Sequence, residues 1–200
     1  YQLVNFKING AIKIEKKYLE KNLEYYLNSS IFLLPLDKIS KKIKENNWIK
    51  SLKLSTNYKD TLFMNIEEYE PIGFYHFNNK FFYFDHSGKI IDQVFNIKNE
   101  DDLIIFSGQF SNIHAKKIIK ILDNFDFKKK FKINKIIYVN NRRWDIYIDY
   151  KIKLMLSENK PEDSIKNFLI IKENLSKIEF NNIEFIDLRN IDKTVITFNK

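Results

Sequence analysis

Apolar and polar residues alternate from Leu3 to Ile8, with Leu3, Asn5 and Lys7 set against Val4, Phe6 and Ile8, which predicts a strand. Asn9-Gly10 punctuates it. From Ile14 to Leu27 the period changes. Ile14, Tyr18, Leu19, Leu23, Tyr26 and Leu27 fall on one face at helical spacing. After the turn at Asn28-Ser29-Ser30, Pro35 opens a second predicted helix with Ile39 and Ile43 inward. Trp48–Leu54 and Thr61–Tyr69 read as strands joined by a turn at 57–60. The order strand, helix, helix, strand, strand lays two helices on a three-stranded sheet, so that each element buries one face.

After Pro71 short strands take over. Phe81-Phe82-Tyr83-Phe84 is an aromatic strand, turned by Asp85–Gly88 into a strand from Lys89 to Val94. A helix is predicted from Asn112 to Phe125, with Ile118, Ile121, Leu122 and Phe125 inward. Strands follow at Lys132–Val139, Trp144–Asp149 and Lys151–Ser157. Pro161-Glu162-Asp163 starts a helix whose stripe is Ile165, Phe168, Leu169, Leu175 and Ile178, because proline and acids suit a first helical turn. Ile183–Leu188 and Thr194–Phe198 close the chain as strands. The fold class is α+β: a β-α-α-β-β domain over 1–72, then over 73–200 a mixed α/β domain with an extended, mostly antiparallel sheet.

Composition changes this picture little. The 200 residues are 44% hydrophobic and 16% aromatic, enough for packed cores. Cysteine is absent, which removes disulfides, thiolate metal sites and cysteine nucleophiles. The chain opens on Tyr1, so it reads as a piece of a longer one whose targeting signal or membrane anchor lies upstream. Net charge is +8, yet the lysines are spread along the chain, with one short block at Lys128–Lys130. Arginine, the preferred reader of phosphates and base edges, occurs only at Arg142, Arg143 and Arg189. A solubilising basic surface fits that distribution better than a nucleic-acid site.

No catalytic constellation emerges. His76, His86 and His114 lack a second ligand at metal-site spacing, and His86 beside Asp85 sits in a turn signal. Glu68 and Glu70 share a strand face while Glu67 points away, which reads as a charged edge. Four glycines leave no phosphate-cradling loop. Trp48 and Trp144 read as core, and Lys128–Lys130 between Phe127 and Phe131 as a helix-to-strand connection rather than a stacking platform for single strands. No catalytic residue, cofactor or metal is expected.

The last strand carries a binding expectation. A strand at the chain terminus has one neighbour, and its unpaired N–H and C=O groups can accept a strand from a partner.

Several segments, in order, resemble the extracytoplasmic part of the bacterial cell-division family FtsQ/DivIB. Trp48-Ile49-Lys50 is similar to a family strand, and Glu68-Tyr69-Glu70-Pro71-Ile72-Gly73-Phe74-Tyr75 to the junction between its POTRA and β domains. Phe84-Asp85 with Gly88, Leu103–Gly108, the Trp144–Leu156 hairpin and Phe185-Ile186-Asp187-Leu188-Arg189 resemble further family stretches. The chain departs from the pattern at Ser55, Tyr58-Lys59, Asn190 and Asp192-Lys193. The resemblance implies a non-enzymatic divisome scaffold at the septum, held in the inner membrane by a single upstream helix, with this chain in the periplasm and monomeric by itself. It implies that the C-terminal strand binds an FtsB/FtsL-like pair through Arg189, Asn190, Thr194, Val195, Ile196, Thr197 and Phe198. Arg189, together with Arg142 or Arg143, is expected to meet partner acids, the equal alternative being a merely structural Arg189. The topological alternative is a POTRA-bearing outer-membrane assembly or secretion protein, a class with several POTRA repeats or a barrel. A basic nucleic-acid module, marked by steep salt dependence, and a hydrolase with a bound metal or substrate also stay open.

Overall fold

A computed structural model describes residues 1–95 and 103–199. The chain divides into two compact units, Tyr1–Glu70 and Pro71–Lys200. In the first, β1 (Asn5–Asn9) precedes α1 (Lys16–Leu23) and α2 (Leu36–Ile43), followed by β2 (Ile49–Thr56) and β3 (Thr61–Glu68). β3 is the central strand, parallel to β1 and antiparallel to β2. Leu19 and Leu23 of α1, and Ile39 and Ile43 of α2, pack on Leu62, Met64 and Ile66 of β3. The helical spacing of the first four and the strand alternation of the last three put all of them in one core.

Three expectations for this unit need correction. Leu3 precedes the ladder and is fully buried, while Val4 is exposed, the reverse of the predicted alternation. Leu3 is tied instead to the loop after α1, its N–H donating to Ser29 and its carbonyl accepting from Asn28. The first helix stops at Leu23 and tightens into a 3₁₀ turn over Glu24–Tyr26, so Tyr18 and Leu27 do not join the core. The acids at the end of β3 do not form a charged edge, because β3 lies between two strands. Glu67 pairs with Lys50 Nζ at 2.6 Å, whereas Glu68 accepts the backbone N–H groups of Ile12, Lys13 and Ile14 at 2.8–3.0 Å.

The second unit contains β4 (Gly73–Phe77), β5 (Lys80–Phe84), β6 (Ile90–Val94), β7 (Ile104–Ser107), α3 (Ser111–Asn124) and α4 (Phe127–Lys130). Next come β8 (Ile133–Val139), β9 (Arg143–Ile148), β10 (Ile152–Leu156), α5 (Pro161–Asn174), α6 (Lys177–Asn181), β11 (Ile183–Leu188) and β12 (Val195–Phe198). They build a nine-stranded sheet in the order β12-β11-β10-β9-β8-β7-β4-β5-β6. Only β11–β10, β8–β7 and β7–β4 run parallel, so the sheet is mostly antiparallel. Helices supply the crossovers from β7 to β8 and from β10 to β11, as parallel neighbours require. The hairpins β4–β5, β8–β9 and β9–β10 each turn on two successive residues at positive φ: Asn78-Asn79, Asn140-Asn141 and Asp149-Tyr150. Asn and Asp tolerate that conformation, whose twist matches the flanking strands.

One row of side chains crosses the sheet in register, Tyr75–Phe106–Ile136–Ile146–Leu154–Ile186–Ile196. These residues pack in a single core with Ile118 and Leu122 of α3 and Ile165 and Phe168 of α5. The stripe predicted to end at Ile178 stops earlier. α5 ends at Asn174, and Ser176 with Glu179 forms a capping box that starts α6, leaving Ile178 exposed. Phe127 and Phe131 are buried, while Lys128 and Lys129 pair with Asp123 and Asp126.

Candidate partner-binding edge

β12 lies at the end of the nine-stranded sheet and, among the described strands, pairs with β11 alone. Thr194 lies just ahead of the strand. Residue alternation gives β12 two characters. Ile196 sits opposite Ile186 and packs against the core. Val195 lies opposite Asp187, and Thr197 opposite Phe185. The next strands continue the first of these outward rows, from Val195 through Asp187 and Met155 to Asp145. A bulge between Ile183 and Phe185 shifts the register by one and leaves Phe198 half exposed opposite Ile183.

That row brings the arginines together. Arg142, Arg143 and Arg189 line one open recess of about 250 Å³ with Val139, Ser157 and Glu158. A neighbouring recess of about 450 Å³ is lined by Asp187, Arg189, Asn190, Lys193 and Val195. Of the residues singled out in the sequence, Thr194, Ile196, Thr197 and Phe198 line neither recess. Lys193 and Glu158 were not foreseen. Strand order and register put them there, and neither is visible in one dimension.

The three arginines are held with unequal firmness. Arg189 grips Asp187 with both arms of its fork, Nε donating to Oδ1 at 2.8 Å and Nη2 to Oδ2 at 2.6 Å. A bidentate pair of this kind fixes the guanidinium plane. The Arg189 hydrogen bond holds the Asp187 carboxyl below its ordinary range, against the opposing effect of partial burial, with a smaller contribution from Arg143. Arg143 lies against Asp145, Nε to Oδ1 at 3.3 Å, and Lys153 Nζ reaches the other oxygen at 3.0 Å. The Asp145 side chain is 2% exposed, so both cations serve to compensate a buried charge. Arg142 is loosest: its Nε lies 3.8 Å from Glu158 and both side chains are largely in solvent. An exposed pair at that distance contributes little and exchanges readily.

The histidines sit apart from the recesses. The His76 ring stacks on Phe81 at 4.5 Å and lies 3.5 Å from Ser107 Oγ, and His114 packs on Tyr138 at 5.0 Å. Among the described residues no group of three or more His, Asp or Glu could hold a metal ion. Among them, too, no helix is long and apolar enough to cross a membrane.

Comparison with known proteins accounts for both units. The family model for the cell division protein FtsQ/DivIB C-terminal region matches residues 74–189, and that for the FtsQ-type POTRA domain matches residues 2–69. The cell division protein FtsQ of Rickettsia felis is 29% identical over 196 residues, covering 98% of this chain and 72% of that protein. FtsQ of Zymomonas mobilis is 26% identical over 163 residues, covering 81% of this chain and 51% of its own length. FtsQ of Agrobacterium fabrum is 20% identical over 199 residues, covering 98% and 61%.

Proposed function

Because the chain belongs to the FtsQ/DivIB family of cell division proteins, we propose that it is a non-enzymatic divisome scaffold whose terminal strand captures an FtsB/FtsL-like pair. In this reading the chain lies in the periplasm, and a single upstream helix holds it in the inner membrane. The observation that carries it is the pairing of an unprotected sheet edge at β12 with an arginine-lined recess beside that edge. A partner segment adds as a further strand, and its main-chain hydrogen bonds to β12 supply affinity. Alternate side chains of that segment supply selectivity. Acids on the partner displace Glu158 from Arg142 and reach the Nη1 donors of Arg189, which the fork on Asp187 leaves over.

The test is binding of the chain to an FtsB/FtsL-like pair, measured by calorimetry at two salt concentrations. Deleting the chain from Thr194 onward is expected to weaken binding at least a hundredfold. The double change Arg142→Glu and Arg189→Glu is expected to weaken it at least tenfold and to flatten its salt dependence. Circular dichroism of both variants monitors the fold. A folded deletion variant that binds with unchanged affinity overturns the proposal.

A further inference from the structure

At one end of the first unit, three segments bring apolar side chains together on the outside rather than in the core. Tyr1, Val4, Phe32, Leu33 and Tyr58 are between 57% and 82% exposed. Three of them, Tyr1, Phe32 and Tyr58, are nevertheless clustered. The Tyr1 and Phe32 rings meet edge to face with centroids 6.1 Å apart, and Phe32 stacks on Tyr58 at 6.2 Å. Backbone bonds fix the arrangement: Ile31 N–H donates to the Tyr1 carbonyl, and Val4 N–H to that of Asp60. Tyr58 stands at a φ of +58°, so the turn between β2 and β3 holds its ring outward at a conformational cost. A contiguous apolar patch kept exposed on rigid elements marks a docking surface.

The chemistry of the patch selects its occupant. Tyrosine and phenylalanine with a neighbouring leucine make up the amphipathic belt that proteins place at a membrane–water boundary, where ring bodies enter the acyl region and hydroxyls stay wet. Phe32 and Leu33 lie in the 3₁₀ turn between α1 and α2. Those two helices carry six lysines, of which Lys42 pairs with Glu45, against the acids Glu20 and Asp37. Lysine near inserted aromatics is complementary to anionic headgroups. An anchoring helix elsewhere in the protein would bring the first unit to the bilayer; this step rests on the reading under Proposed function. We infer that the Tyr1–Phe32–Tyr58 patch lies on the lipid surface beside that anchor and fixes the first unit against the membrane.

The test is flotation of the whole chain with vesicles of phosphatidylethanolamine and phosphatidylglycerol. The parent is expected to float at low salt. The variant Phe32→Ser, Leu33→Ser, Tyr58→Asn is expected to float at least tenfold less, and asparagine suits the positive φ at position 58. A Phe32→Trp variant is expected to be quenched by brominated acyl chains well beyond the parent, because only inserted rings meet bromine. Three results overturn the inference: no flotation of the parent, equal flotation of the triple variant, or no added quenching. A triple variant that loses capture of the FtsB/FtsL-like pair, or a parent that dimerises through the patch, makes the patch a protein interface and also overturns it. A β12 deletion that still captures the pair removes the proposed strand site and leaves the flotation result standing.

Discussion

Replacing Glu68 with alanine removes an anchor that the sequence does not reveal. Its two carboxylate oxygens accept from three consecutive backbone N–H groups, those of Ile12 and Ile14 on Oε1 and that of Lys13 on Oε2. These bonds tie the loop before α1 to the end of β3. A hydrogen bond to a charged acceptor contributes about 1.5–3 kcal/mol net. The site is only half-buried, so water regains part of the three after the change, and the expected loss is about 2 kcal/mol rather than the sum. For a unit of this size 1 kcal/mol corresponds to about 4–8 °C, so its melting temperature should fall by about 10 °C. Glu68→Gln keeps one acceptor oxygen and turns an amide N–H₂ toward a backbone donor, and should lose about half as much. Fluorescence of Trp48, with Trp144 replaced by Phe, reports on the first unit alone. Hydrogen exchange supplies a second readout: protection of the Ile12, Lys13 and Ile14 amides should fall together. A Trp48 transition within about 2 °C of the parent, with unchanged protection at those amides, refutes the reasoning.

Three further outcomes are expected. Gly108→Ala should destabilise the second unit by about 2 kcal/mol or more in urea unfolding, since its φ is +97° and a Cβ would stand 2.3 Å from the Tyr138 carbonyl oxygen. Ser176→Ala should cost about 1 kcal/mol and fray α6, because the Ser176 hydroxyl and the Glu179 carboxylate cap each other's backbone. Asp187 has a lowered folded-state pKa, so its stabilisation is complete above the unfolded value near 3.8 and is lost as pH falls through the lower folded value. Arg189→Ala should therefore raise the Asp187 midpoint seen by NMR and remove that share of the acid sensitivity. An unmoved midpoint refutes the assignment.

Much of this fold is written in local pattern. The start of α5 was legible because Pro161 suits the first helical turn and Glu162 and Asp163 complement its dipole, and the 57–60 turn because its first side chain satisfies the backbone itself. Asn57 Oδ1 accepts the N–H groups of Lys59, Asp60 and Thr61. The end of α5 was not legible from periodicity, since Ile178 continues the apolar spacing. The signal that breaks the pattern is the Ser176/Glu179 pair three residues apart. The role of Glu68 was hidden for a different reason. A strand's alternation says which side a carboxylate leaves from, but not that the loop before α1 lies there to meet it. β4 was missed because Gly73–Phe77 has no polar alternation, which is what a strand flanked on both sides by others looks like.

The candidate site divides along the same line. β12 lies at a sheet edge, and the convergence of Arg142, Arg143 and Arg189 requires β10 to lie between β9 and β11. Sheet order also sets what the proposed partner strand must look like. A strand added beside β12 continues two rows at once. The row of Leu154, Ile186 and Ile196 lies on the core face, so the residue opposite Ile196 extends an apolar surface. The row of Asp187 and Val195 runs on the opposite face beside Arg189 and Lys193, so residues one place along meet positive charge. A segment that alternates apolar with acidic residues satisfies both rows. Sliding it by a single residue puts its acids over Ile196 and its apolar groups into the arginine recess. If the proposed strand addition holds, the edge reads register as well as composition, and the charge on its outward face is what makes one register win.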